Sequence, residues 1–248
     1  MFKYNFNSYQ HQKLIKQFEK NGFIIFNLGK RKTKLDYIKR SIEKTIINLL
    51  KKEKINIPHK EKNIFNNLHK YLAKNKLNTF RMKIYNILND KSWFLRNYFE
   101  IAKDELELLC GNELAMQRKV NLSIQLPNDD SSLLPVHSDV WSGCSPFEIV
   151  LWVPLENVSK TKSMFILNKK ENDKYYKLFY KFDDSDKLQK NIDKKLKWLK
   201  INYGQGLIFI NQLMHGNKVN KTKETRWSFN CRFKSLMSPY DKKDIAET

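Results

Sequence analysis

Over the first 115 residues the apolar positions recur at helical spacing. Leu14, Ile15 and Phe18 share one face of a short helix ending near Gly22, and residues 23–26 then read as a short buried strand. Thr33, with Asp36 three positions on, reads as a helix start, and Leu35, Ile38, Ile42, Ile46 and Leu49 form the stripe that follows. Pro58 interrupts the pattern. Further helical periodicities follow around residues 63–74, 80–89 and 93–109, the last with Leu95, Tyr98, Ala102, Leu106 and Leu109 as its stripe. These segments read as packing elements, and their histidines (His11, His59, His69) as surface or structural residues.

After Gly111 the period changes from helical to two. Across residues 116–126, Arg118, Val120, Leu122, Ile124 and Leu126 alternate with Gln117, Lys119, Asn121, Ser123 and Gln125. A turn-rich stretch at 127–132 ends that strand. A second strand ends at residues 137–139, and others span 147–155, 163–167, 206–211 and 225–234. Short strands separated by turn signals predict a double-sheet jelly roll or barrel. A Lys/Asp-rich stretch, residues 168–200, interrupts the series as a solvent-facing helical insertion, with Tyr175, Tyr176, Leu178 and Phe179 available to pack it down. The predicted class is α+β: a mainly helical region, 1–115, packed on a β core, 116–240, in one integrated domain.

Composition narrows the class. With 248 residues, 41% hydrophobic and 13% aromatic, the chain is expected to bury one substantial core. No apolar run approaches the ~20 residues of a membrane span, and the start carries no signal-peptide block. Cys110, Cys144 and Cys231 offer neither a disulfide framework nor zinc spacing. A soluble cytoplasmic protein without membrane insertion is expected. The net charge of +21 is spread along the chain as lysine mixed with 26 acids. It reads mainly as a solvated surface, with attraction of an anionic substrate as the functional alternative and nucleic acid as a disfavoured partner.

The candidate chemistry lies in the second half. On a strand, His137 and Asp139 project to the same side, where both could meet one metal ion. His-x-Asp alone is weak evidence in a chain with five histidines. His215 adds weight, because it follows a strongly apolar strand and sits at its end beside Gly216. Two histidines and one carboxylate form the ligand set of non-haem iron oxygenases. Eleven residues later comes a strand with Arg226, Ser228, Asn230 and Arg232 on one face and Trp227, Phe229, Cys231 and Phe233 on the other. If the apolar face packs on the next layer, the polar face lines a cavity. A buried guanidinium there needs an anion, and no acidic residue on that face offers one. A ligand carboxylate is the economical candidate. Asn121, Ser123 and Gln125 either line the same pocket or face solvent. Trp141 and the loop 142–145 lie just past Asp139, where a substrate would approach. Asn230 and Arg232 could meet an anionic or hydroxyl-rich substrate or merely complete a hydrogen-bond network.

The order His137-x-Asp139, distal His215 and Arg226-x-Ser228 resembles the Fe(II)/2-oxoglutarate-dependent oxygenase superfamily, especially its phytanoyl-CoA dioxygenase-like branch. The resemblance covers most of the chain, with its specific motifs in residues 117–235. It implies a double-stranded β-helix (jelly-roll, cupin-like) core, Fe(II) on His137, Asp139 and His215, and the far carboxylate of 2-oxoglutarate on Arg226 and Ser228. Trp152 matches the aromatic residue that lines the cosubstrate pocket in that branch, with Asn121 and Gln125 beside it. Implied too are O2 as cosubstrate, succinate and carbon dioxide as products, and oxidation of an unactivated C–H bond. Related halogenases lack the carboxylate ligand, so Asp139 points to hydroxylation or another C–H oxidation. The family's glycine-containing turn after the Trp152 strand is replaced here by Ser-Lys-Thr-Lys-Ser at 159–163. The run 135–148 (Pro-Val-His-Ser-Asp-Val-Trp-Ser-Gly-Cys-Ser-Pro-Phe-Glu) is also similar to a narrower group, the sporadic carbohydrate-cluster oxygenases of bacteria. That likeness implies a sugar or nucleotide-sugar substrate. Two other readings stay open: an oxygenase acting on protein or nucleic acid, and a non-catalytic cupin-type metal protein. Arg226-x-Ser228 speaks against the latter, because a structural metal needs no carboxylate anchor.

Overall fold

The computed structural model describes residues 9–58, 60–182, 184–193 and 196–239; the first eight residues and His59 lie outside the described residues. Helix α1 (Tyr9–Asn21) ends at Gly22, whose φ of +76° favours glycine, and strand β1 (Phe23–Asn27) follows. Helix α2 (Lys32–Lys52) buries Leu35, Ile38, Ile42, Ile46 and Leu50. Its start departs from the expected cap at Thr33. A 3-10 turn, Gly29–Arg31, runs directly into the helix, and Thr33 donates to the Lys30 carbonyl from inside the first turn. The 63–74 periodicity yields α3 (Ile64–Asn67), capped by the Asn63 side chain, and a 3-10 turn, Leu68–Lys70. Helix α4 (Leu77–Asn89) matches its stripe, whereas the 93–109 pattern divides into α5 (Ser92–Glu100) and α6 (Lys103–Cys110) at Ala102, where φ reaches −131°.

The β core has two antiparallel sheets. In the larger, β1 pairs with β7 (Gln205–Ile210), which pairs with β4 (Ile149–Pro154), which pairs with the ten-residue β9 (Arg226–Ser235). The far edge of β9 carries β2 (Leu114–Met116) and then β3 (Asn121–Gln125). The single strand expected at 116–126 is therefore broken. Asn89, at the end of α4, takes the place of a strand neighbour: its side chain accepts from the Val120 amide and donates to the Val120 carbonyl. The smaller sheet is built from β5 (Phe165–Ile166), β6 (Lys197–Trp198) and β8 (His215–Gly216), with His137 bridged to His215. This pair of sheets with a helical layer is the predicted double-stranded β-helix architecture.

Strand phase decides which side chains meet the helices. Trp227, Phe229, Cys231 and Phe233 of β9 join Leu151, Val153, Leu122, Ile124 and Ile208 against the helical layer. Phe65 of α3 meets Trp227 edge-on at 5.2 Å, and the Trp227 indole donates to the Phe65 carbonyl. Phe229 packs on Phe94 and Tyr98 at 5.2 and 5.9 Å. Because Phe229 is fully buried, Phe229→Ala is expected to cost about 3–5 kcal/mol of stability, read from chemical denaturation. The opposite face, with Val150, Trp152, Leu207 and Phe209, packs on Met164, Ile166, Leu199 and Leu213 from the region of the second sheet.

The 159–163 turn keeps a left-handed residue without glycine: Lys160 has a φ of +50°. Lys162 fixes the loop from within, its buried ammonium donating to Asn66 and Glu224. Among its described residues the 168–200 stretch holds α7 (Lys169–Lys177), a 3-10 turn at Phe179–Lys181 and α8 (Ser185–Ile192); its end is strand β6 rather than helix, and it is less solvent-facing than expected. Tyr175, Leu188 and Ile192 bury against Val136, Phe165, Leu167 and Met214. Among the described residues no helix is long and apolar enough to cross a membrane.

Candidate metal centre

Ser138 is extended (φ −121°, ψ 135°), so its neighbours His137 and Asp139 project to the same side. Asp139 then opens a 3-10 turn, Asp139–Ser142, in place of the continuing strand. The bridge to His215, with amide–carbonyl bonds of 2.9 Å in both directions, brings the second imidazole alongside. Gly216 makes this approach possible, because a Cβ there would lie 2.7 Å from the Leu134 carbonyl oxygen and 2.8 Å from that of Pro135.

The three side chains converge. His137 Nε2 and His215 Nε2 lie 3.7 and 3.9 Å from Asp139 Oδ1, and one donor atom from each residue falls within 4.8 Å of the others. Each imidazole places Nδ1 2.8 Å from the backbone carbonyl two residues before it, Pro135 for His137 and Leu213 for His215. A carbonyl only accepts, so Nδ1 carries the proton and Nε2 presents its lone pair to the common point. Burial, and next the neighbouring His137, hold His215 well below its ordinary pKa, against the pull of Asp139. It thus arrives neutral, as a ligand must be. Asp139 is oriented from its other oxygen: Oδ2 accepts from Arg232 Nε at 3.2 Å and lies 3.1 Å from Nη2 in the same ion pair. Two imidazole nitrogens and one carboxylate oxygen on one side of an open space suit a divalent transition metal with free coordination positions.

These residues line one wall of a cavity of about 760 Å³. Trp152, Asn121, Asn230, Arg226 and Arg232 also line it, as do Val150, Met164 and Phe209. The Asn121 amide donates to Asn230 at 3.0 Å. Arg226 is 3% exposed, and its one hydrogen bond goes to Ser123 Oγ at 2.9 Å. Its Nε is buried with no partner, and so are Ser228 Oγ and Gln125 Oε1. Pairing of β3 with β9 sets Gln125 opposite Arg226 and Ser123 opposite Ser228, so the orphaned atoms cluster. Among the described residues no carboxylate pairs with Arg226, and burial lowers its pKa to about 10. Gln125 and Ser228 are fully buried beside Arg226. The donor set fits a small carboxylate: a buried cation without a carboxylate partner, with the Ser123 and Ser228 hydroxyls beside it.

Two of the expected substrate contacts also meet other parts of the chain. Trp141, partly exposed, packs on Phe179 at 5.0 Å and Tyr176 at 6.3 Å. Arg232 lines the cavity but commits its Nε and Nη2 to Asp139. Other residues carried no signal in the sequence. Lys74 and Asn75, in the 3-10 turn before α4, and Asn78 and Arg81 within it, border the cavity. A polar stripe on an amphipathic helix normally faces water, so nothing marked them.

Solved structures provide the comparison. The nickel complex of the non-haem monooxygenase ThoJ superposes with a TM-score of 0.55 at 16% identity, over 93% of this chain and 81% of that one. The chain has the fold of ThoJ. Iron-bound EctD from S. alaskensis follows at 0.53 and 13% identity, over 98% and 82%. AviO1 from Streptomyces viridochromogenes Tue57 follows at 0.53 and 11%, over 93% and 97%. No protein-family model and no curated protein sequence matches the chain.

Proposed function

We propose that the chain is an Fe(II)- and 2-oxoglutarate-dependent oxygenase of the phytanoyl-CoA dioxygenase-like branch, acting on a small molecule. The observation that carries this reading is the pairing of features in one cavity. His137, Asp139 and His215 line the same cavity as Arg226, a buried cation with no carboxylate partner among the described residues. A cupin that merely stores a metal has no use for the second feature. When bound, iron with 2-oxoglutarate and O2 supplies the oxidising power for C–H cleavage, and succinate and carbon dioxide leave.

The chain's own part is placement. His137 and His215 present Nε2, locked by their Nδ1–carbonyl bonds. Arg232 holds Asp139 so that Oδ1 faces the imidazoles. Arg226 and Ser228 take the far carboxylate of 2-oxoglutarate, which ends the isolation of the guanidinium. Trp152, Met164 and Phe209 keep water from the space between. Asn121 and Asn230 offer hydrogen bonds to the bound molecules.

A cavity of about 760 Å³ suits a small substrate better than a polymer. Among the described residues its lining carries Lys74, Arg81, Arg226 and Arg232 against the single carboxylate of Asp139. With Arg226 assigned to 2-oxoglutarate and Arg232 to Asp139, Lys74 and Arg81 favour an anionic substrate rich in hydrogen-bonding groups. A sugar phosphate or nucleotide-sugar meets that description, in keeping with the resemblance of residues 135–148 to carbohydrate-cluster enzymes. The test is incubation with Fe(II), ascorbate and 2-oxoglutarate while following succinate. Slow turnover is expected without a prime substrate, and none with His215→Ala. No succinate from the wild-type chain, with or without candidate sugar phosphates, would sink the proposal.

A further inference from the structure

The ligand-bearing segments have little sheet to hold them. Strand β8 is two residues long, His137 joins it through an isolated bridge, and Asp139 leaves directly into a 3-10 turn. Buried amides on such short pieces need partners that a longer ladder would have provided. Here side chains of the insertion provide them. Asn172 of α7, 3% exposed, accepts from the Met214 amide at 2.7 Å through Oδ1, one residue before His215. Gln189 of α8 accepts from the Val136 amide at 3.0 Å, one residue before His137. Between the two, the Tyr176 hydroxyl lies 2.9 Å from Ser138 Oγ and 3.2 Å from the Gln212 carbonyl, its one proton shared between these acceptors. Ser138, flanked by two of the ligands, passes its own proton to the Asn211 carbonyl at 3.0 Å. The Asp139 amide donates to that same carbonyl. The backbone beside every member of the donor set is thus tied, directly or through Ser138, to α7 or α8.

We infer that Asn172, Tyr176 and Gln189 are positioning residues of the metal centre, and that the insertion exists to hold the two ligand-bearing segments in register. The inference rests on the iron reading above and goes beyond it. The insertion reads in the sequence as a charged surface appendage, yet it acts as the outer support of the site. Groups that orient metal ligands from behind commonly change metal affinity 10–100-fold when removed. A shift of a few tenths of an ångström in either segment separates two imidazoles from a carboxylate that they must share with one ion.

The test uses Co(II), whose visible absorption reports both affinity and coordination geometry. Tyr176→Phe removes one oxygen and leaves the ring contacts with Trp141 and Phe179. Asn172→Ala removes the acceptor for Met214, and Asn172→Asp keeps one. Tyr176→Phe and Asn172→Ala are each expected to weaken Co(II) binding about tenfold and to alter its absorption spectrum. Asn172→Asp should recover most of the affinity. Amide exchange at Val136, Met214 and His215 in the metal-free chain should stay slow in the wild type and quicken at Met214 and His215 in Asn172→Ala. Co(II) affinity and spectrum unchanged in both loss variants, whatever happens to thermal stability, would overturn the inference and reduce the insertion to ordinary packing. Failure of the wild-type chain itself to bind Co(II) would instead overturn the iron reading, and this inference with it.

Discussion

Arg226→Met is expected to raise the stability of the metal-free chain while removing its affinity for 2-oxoglutarate. Both effects follow from the isolation of one cation. Arg226 is buried, makes a single hydrogen bond to a neutral hydroxyl, and leaves Nε without a partner. Burial lowers its pKa to about 10 from 12.5, a penalty of roughly 3 kcal/mol on the charged form at neutral pH. Methionine has similar length and carries no charge to desolvate. Replacing a poorly compensated buried charge in this way commonly stabilises by about 1–4 kcal/mol. Most core arginines behave oppositely, because their removal strands a carboxylate; here no carboxylate is left behind. Binding of the cosubstrate should suffer in proportion. Truncating one partner of a buried charge pair costs about 2–5 kcal/mol, which at 1.4 kcal/mol per tenfold is a loss of about 30-fold to several thousand-fold. Metal affinity should hold, because Arg226 touches none of the three ligands. Denaturation of the metal-free variant and calorimetry with 2-oxoglutarate in the presence of Mn(II) measure both halves. A destabilised variant would mean that the cation has an internal partner after all. Unchanged 2-oxoglutarate affinity would remove the anchor from the proposed function.

The parts of this molecule legible in the sequence are those set by local phase. The alternation of Arg226, Ser228, Asn230 and Arg232 with Trp227, Phe229, Cys231 and Phe233 needs only period two, and β9 obeys it throughout. The stripe of α2 needs only 3.6, with Leu50 in place of Leu49. His137 and Asp139 project together because one extended residue separates them. What escaped the sequence depends on contacts between distant segments. Asn89 divides β2 from β3 by bonding Val120 across 31 positions. Helix α4 borders the cavity and reaches β3 from it: Arg81 donates to the Leu122 carbonyl. Asn172 is one polar residue in a Lys/Asp-rich run and Tyr176 reads only as a ring that packs the insertion down; only the fold brings them to the residues beside His215 and Asp139. Trp141, two positions past Asp139 and expected near the substrate, packs on Phe179 from the 3-10 turn, a contact between segments that no local pattern announces.

Arg232 raises the same question of range, and a double-mutant cycle with Asp139 answers it. The sequence leaves Arg232 between substrate contact and internal hydrogen bonding, while the structure directs its Nε and Nη2 to Asp139 Oδ2. If Arg232 serves the metal only by holding that carboxylate, Arg232→Met should weaken Co(II) binding about 10–100-fold. Asp139→Ala, which removes the ligand outright, should weaken it by at least that much. The two losses should not add: with Asp139 gone there is nothing for Arg232 to orient, so the double variant should bind Co(II) as Asp139→Ala does. Stability should run the other way. Asp139→Ala strands a guanidinium that is about three-quarters buried, at a cost of about 1–3 kcal/mol, less than a fully buried charge because solvent still reaches it. Adding Arg232→Met should recover most of that cost. Metal affinities that multiply across the cycle would show that Arg232 acts on the metal site by a route other than Asp139, as a contact to a bound anion would. In that case the cationic side of the cavity would extend to the metal itself, and the anionic group of the substrate would belong beside Arg232 rather than at Lys74 and Arg81.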